Sequence, residues 1–156
     1  MKGDSLQKEK RLFLNFIHEN LPHMPKTFDE GLGIASERFF FNRDVIYKIP
    51  ELSKIKTVLE APCDGLMGIP GMNSVVFARL GKKVTLSSPS KKLLCYSKKF
   101  WKQLKLKACF KVSDPLLSTI KGKYDLVWNY CTFEHFGEPL FRRMLELSDR
   151  YVLIVT

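Results

Sequence analysis

Long apolar runs are missing from this chain of 156 residues, and no stretch approaches the roughly 18 consecutive apolar residues of a membrane-spanning helix. Met1 to Lys10 is polar and charged, without the apolar core of a secretory signal, so a soluble cytoplasmic protein is expected. Metal-ligand spacing is missing too. Cys63, Cys95, Cys109 and Cys131 form no Cys-x-x-Cys pair, and His18, His23 and His135 stand apart, so no metal site and no disulfide framework is expected. Reduced, mostly buried thiols are the expectation. Two phosphate-cradling signatures are absent as well: there is no Gly-x-Gly-x-x-Gly and no glycine loop ending in Gly-Lys-Ser/Thr.

Acid is scarce where base is dense. The net charge of +10 is spread unevenly: residues 1–50 hold eight Lys/Arg against seven Asp/Glu, residues 51–123 fifteen against four, and residues 124–156 three against five. Between Lys91 and Lys111 lie eight lysines and no acid, a field able to attract RNA or another polyanion, with Lys91, Lys98, Lys102 and Lys105 on one helical face. The plainer reading of the same run is a solvated lysine surface.

What is present is a regular alternation. Asp4–Leu21 has Leu6, Leu12, Phe13, Phe16 and Ile17 at helical spacing, with Asp4 or Ser5 as N-cap and Pro22 as the stop. Residues 22–50 are irregular and read as helix and loops. From Thr57 the pattern cycles: strand Thr57–Ala61, glycine-rich turn Gly65–Gly71, helix Met72–Leu80 ended by Gly81, strand Lys83–Ser87, helix Ser90–Leu106, strand Ala108–Val112. Then come a loop or short helix over Asp114–Ile120, strand Tyr124–Tyr130, helix Phe133–Leu147 and strand Tyr151–Val155. Strands separated by helices of this length predict an α/β fold: a Rossmann-like three-layer sandwich with a central parallel sheet of about five strands. Residues 1–53 form an N-terminal helical extension and residues 54–156 the main domain. In such a sheet, ligands bind beyond the carboxyl ends of the strands, so chemistry is sought in the turns that follow them.

The first of these turns reads Val58-Leu59-Glu60-Ala61-Pro62-Cys63-Asp64-Gly65, and the fourth strand with its turn reads Tyr124-Asp125-Leu126-Val127-Trp128-Asn129-Tyr130-Cys131-Thr132-Phe133-Glu134-His135-Phe136. Glu60 disfavours a pyrophosphate but suits a ligand bearing ammonium and sulfonium charges. These two segments resemble the first and fourth motifs of class I S-adenosylmethionine (SAM)-dependent methyltransferases, and the resemblance covers roughly residues 54–156. It implies SAM as cofactor and methyl transfer to an acceptor that the sequence does not identify. By the same resemblance, Glu60 and the turn Ala61, Pro62, Cys63, Asp64 and Gly65 face the methionine part, and Ser87 and Ser88 lie near the ribose. Ser113, Asp114 and Leu116 lie at the adenine, and Asn129 and Tyr130 near the methyl group. Tyr130, Glu134 and His135 are the catalytic candidates by position alone.

Pro62 and Asp64 stand where the family has glycines, and Ser88 stands where it has a ribose-binding acid. A serine hydroxyl lacks the two charged acceptor oxygens of a carboxylate, so a weaker hold on the ribose, or compensation elsewhere, is expected. The chain stops inside the fifth strand, where the family adds two more strands. The expectations are a fragment, or an edge covered by another chain or by self-association. A non-catalytic Rossmann-like module for RNA or another polyanion is the alternative to a methyltransferase.

Overall fold

The computed structural model describes residues 2–20, 22, 41–63 and 69–156. Its centre is β1 (Thr57–Glu60), four residues of which three are buried, flanked by β2 (Lys83–Ser88) and β4 (Tyr124–Tyr130). Outside them lie β3 (Cys109–Val112) and β5 (Ser148–Val155), giving the order β3-β2-β1-β4-β5 with every pairing parallel. A parallel strand covered on both faces must be apolar nearly throughout, and this is why Val58-Leu59 and Leu126-Val127-Trp128 read as unbroken hydrophobic runs. The chain walks outward through β1, β2 and β3, then returns to the other side of β1 for β4 and β5. The reversal leaves a switch point between β1 and β4.

Helices cover both faces. On one, α1 (Lys2–Asn20), α2 (41–47), α3 (Val75–Arg79) and α4 (Lys91–Gln103) contribute to a core that includes Val58, Val84, Leu86, Leu126 and Trp128. On the other, Leu140, Met144 and Leu147 of α5 (Phe133–Leu147), with Leu117 and Ile120, pack on Leu59, Ala61 and Val127. The three-layer expectation matches this arrangement. The N-terminal helix joins the main core: Phe13, Phe16 and Ile17 are buried, and the rings of Phe13 and Phe16 lie 5.9 and 5.7 Å from that of Phe100 in α4.

Several expected boundaries move. Helix α1 begins at Lys2, so Asp4 and Ser5 lie within it and do not cap it. The helix expected over Met72–Leu80 shrinks to Val75–Arg79. Gly71, at φ +73°, packs so tightly on β2 that a Cβ there would sit 2.4 Å from Leu86 Cδ1, and residues 72–74 complete the turn that this close approach imposes. Helix α4 buries Leu94, Ser97, Phe100 and Trp101 while its lysines stay exposed, and Ser90 Oγ caps it by accepting from Leu93 N at 3.2 Å. In α5, Gly137 (φ 52°, ψ −140°) breaks the first turn, and the helix restarts with Pro139 where a missing N–H costs nothing. All four cysteines are free, but only Cys63 is buried. Cys95 is on the outer side of α4 and Cys109 is on edge strand β3, and both are exposed. No helix among the described residues is long and apolar enough to cross a membrane.

The amino ends of the strands are tied by one carboxylate. Asp125 Oδ2 accepts from Lys56 N (2.8 Å), Thr57 N (2.9 Å) and Thr57 Oγ1 (3.1 Å), and Arg150 of β5 reaches Oδ1 at 3.5 Å. The backbone N–H groups of Lys56 and Thr57, then the Thr57 hydroxyl and Arg150, hold its carboxyl below the usual range. Because the folded-state value is depressed, the stabilisation is whole above about pH 4 and is lost as pH falls through the folded-state value. Asp125→Ala is therefore expected to lower urea-unfolding stability by about 2 kcal/mol at neutral pH. The gap between the two proteins should narrow as pH falls through the folded-state value of Asp125. A gap that persists unchanged in acid contradicts this reading.

Candidate functional site

Main-chain hydrogen bonds gather the carboxyl ends of the strands into one rim. Cys63 N donates to Ser87 O (2.7 Å), Ser113 N to Ser88 O (3.1 Å), Ala61 N to Trp128 O (3.0 Å) and Cys131 N to Val155 O (2.8 Å). The turns that follow β1, β2, β3 and β4 therefore lie side by side, as the sequence predicts. Asp64 and Gly65 lie outside the described residues.

Along β1 and its turn, Glu60, Ala61, Pro62 and Cys63 are all buried, and the Ala61–Pro62 peptide is cis. Glu60 is only 2% exposed, and its Oε2 accepts from the hydroxyl of Ser74, the residue that precedes α3. The same hydroxyl accepts from Trp128 Nε1 at 2.9 Å. A hydroxyl has one proton to give and lone pairs to receive, so Ser74 serves as the link in a buried chain running from β4 through α3 to β1. Asn129 is fully buried, and its amide donates to Ala61 O (3.1 Å) and Thr132 Oγ1 (2.5 Å), while its Oδ1 accepts from Thr132 N (3.3 Å). It pins the β4 turn against the β1 turn at the switch point.

The two serines at the end of β2 do different work. Ser88 Oγ accepts from Ser90 N at 2.9 Å, so the residue standing at the ribose-acid position shapes the turn into α4. Ser87 faces the α5 side, as the register pairing of Leu59 with Thr85 requires, and its hydroxyl is buried with no hydrogen-bond partner among the described residues. The hydroxyl of Ser113, one residue past β3, is likewise buried and without a partner among the described residues. Two orphaned hydroxyls on neighbouring strand ends are costly unless a ligand completes them.

Asp114 accepts from Leu116 N (2.9 Å), Ser118 N (3.1 Å) and the Ser118 hydroxyl. These bonds, the Ser118 hydroxyl foremost, hold its carboxyl below the ordinary range. A carboxylate offers about four acceptor sites, so one remains for a further donor. Beside it Leu116 is 42% exposed, an apolar surface open at the rim. Tyr130 is buried and belongs to the core on the α3 and α4 face, whereas Glu134 and His135 are exposed in the first turn of α5. The three candidates are thus not brought together into one cluster. Ser74, Trp128 and Thr132 organise the rim without having been foreseen. The only sequence signal for any of them is the Asn129-x-x-Thr132 spacing, typical of a side chain that closes a turn onto its own backbone.

Solved structures share this architecture. TehB from Haemophilus influenzae superposes with a TM-score of 0.59 at 18% identity, covering 71% of this chain and 39% of that one. Magnesium protoporphyrin IX methyltransferase (ChlM) from Synechocystis PCC 6803 with bound S-adenosylhomocysteine (SAH) gives 0.64 at 20% identity, covering 82% and 63%. The same enzyme with bound SAM gives 0.65 at 17% identity, covering 93% and 74%. The fold is that of the class I SAM-dependent methyltransferases. The chain spans 39% and 63% of the lengths of the first two of these proteins. No protein-family model matches the sequence, and no curated protein does.

The Ser74 link yields a sharp expectation. Ser74→Ala strands a buried indole N–H and removes one donor from Glu60, and should cost about 1–3 kcal/mol in urea unfolding. A loss near zero would show that the chain from Trp128 to Glu60 does not support the rim.

Proposed function

We propose that this chain is a SAM-binding, methyltransferase-like protein that transfers the methyl group of SAM to an acceptor. The observation that carries the reading is the pair of orphaned buried hydroxyls, Ser87 and Ser113, on adjacent strand ends beside the switch point. A nucleoside is rich in hydroxyls and ring nitrogens, which such groups can bond. Asp114 has acceptor capacity left for an exocyclic amine, and Leu116 offers an apolar edge to the base. The Ala61–Cys63 turn and Asn129 line the opposite side of the rim, where the methionine portion would lie. SAM-bound ChlM, which shares the fold, supports the assignment of the cofactor.

SAM supplies an electrophilic methyl carbon on a sulfonium. What remains for the protein is positional: to hold the cofactor, bring the acceptor's nucleophile into line and exclude water. Ala61, Asn129 and Thr132 are rigidly cross-bonded, which suits that positioning role. Glu134 and His135, exposed at the start of α5, are the groups available to meet an acceptor or take its proton, while Tyr130 backs the rim from the core.

Isothermal titration with SAM and with SAH tests the reading, and saturable binding is expected for both. The double variant Ser87→Ala and Ser113→Ala should bind about tenfold more weakly, since one to two modest hydrogen bonds are worth about 1.4 kcal/mol. It should nevertheless melt no lower than the parent without ligand, because the hydroxyls it removes have no partner to lose. Absence of heat with either ligand, or a variant that binds as well as the parent, contradicts the proposal.

A further inference from the structure

The lysine run plays no part in the chemistry above. Of the eight lysines from Lys91 to Lys111, seven are exposed and Lys111 is half-buried. Among the described residues no carboxylate forms an ion pair with any of them. Lys98, Lys102 and Lys105 recur at four and three residues, one face of α4 and the turn that ends it, so their ammonium groups repel one another. With Lys107 they line a groove between the end of α4 and the start of β3, which Trp101 and Phe110 also line. Lys98 Nζ stands 5.6 Å from the Phe110 ring centroid. The helix dipole accounts for basic residues in the last turn, but not for Lys98 one turn earlier, nor for Lys107 on the strand side.

A surface that only keeps the protein in solution needs neither concavity nor a single sign of charge. A membrane-binding face would set exposed aromatic or aliphatic residues among the lysines. Here Leu94, Phe100 and Trp101 of α4 are buried in the core and unavailable for insertion. What remains is a groove of one sign of charge with the half-buried Phe110 ring in its wall, a charge pattern that can track a phosphate backbone. Ala108 and Phe110 stand at the start of β3, so the groove lies at the amino end of the sheet, across from the strand-end rim. We propose that this groove binds the sugar-phosphate backbone of a single-stranded nucleic acid, as a tether separate from the rim.

Fluorescence anisotropy with a labelled single-stranded RNA of about 20 nucleotides tests this. Binding is expected, with log affinity falling linearly against log salt at a slope near −0.7 per phosphate contacted. The triple variant Lys98→Glu, Lys102→Glu, Lys105→Glu should weaken binding at least tenfold and flatten the slope by about 2. A control with the same charge change elsewhere, Lys48→Glu, Lys121→Glu, Lys123→Glu, should change affinity less than threefold, and circular dichroism confirms that both variants fold. Equal losses in the two variants, affinity insensitive to salt, absence of RNA binding, or capture by phosphatidylserine vesicles without RNA binding each overturn the proposal.

Discussion

The rim depends on a carboxylate placed where a parallel sheet least tolerates one. Strand β1 is central and covered on both faces, yet it ends in Glu60, and a carboxylate buried there without a partner would cost more than the packing around it returns. Ser74 helps to satisfy it by donating to Glu60, and Trp128 keeps Ser74 aimed by donating to it in turn. The three residues sit on β1, the lead-in to α3 and β4, so the bonds that satisfy the acid also fix the turn between β1 and α3. Phe77 packs edge-on against Trp128 at 5.8 Å and closes the same corner from the helix side.

The two ends of the sheet divide their labour. At the amino ends, Asp125 is saturated by backbone and side-chain donors, and every contact it makes is internal. At the carboxyl ends, Ser87 and Ser113 are buried and unsatisfied, and Leu116 is exposed. Buried polar atoms without a partner among the described residues also occur away from the rim, at Asn42 and Trp101, but Ser87 and Ser113 lie at the strand ends where the switch-point rule for open α/β sheets directs the search for a ligand. The lysine groove adds a third region, physically separate and governed by charge instead of geometry.

Much of this architecture was legible in the sequence. Tyr124–Tyr130 reads directly as a strand because five of its seven residues are apolar or aromatic and the run is bounded by Gly122-Lys123 and Cys131-Thr132, and the structure keeps those limits. Helix α4 was readable from its periodicity, although it ends at Gln103 and not at Leu106. Helix α3 was not, because its late start follows from Gly71 pressing on Leu86, a contact between residues on different elements. Ser88 does end β2, but position cannot reveal that its hydroxyl is turned back onto Ser90 N while Ser87 has no partner among the described residues. The Glu60–Ser74–Trp128 chain was invisible for the same reason: Ser74 and Trp128 are 54 residues apart, and only the folded sheet brings them together.

The central claim is that the strand ends form one nucleoside-binding rim, and amide hydrogen exchange with and without saturating SAH tests it most directly. The account predicts slowed exchange confined to 61–63, 87–90, 113–118 and 129–132, four segments distant in sequence, with the amides of α1 and of the α4 to β3 connection unaltered. Protection absent from these segments, or appearing in only one of them, would contradict it.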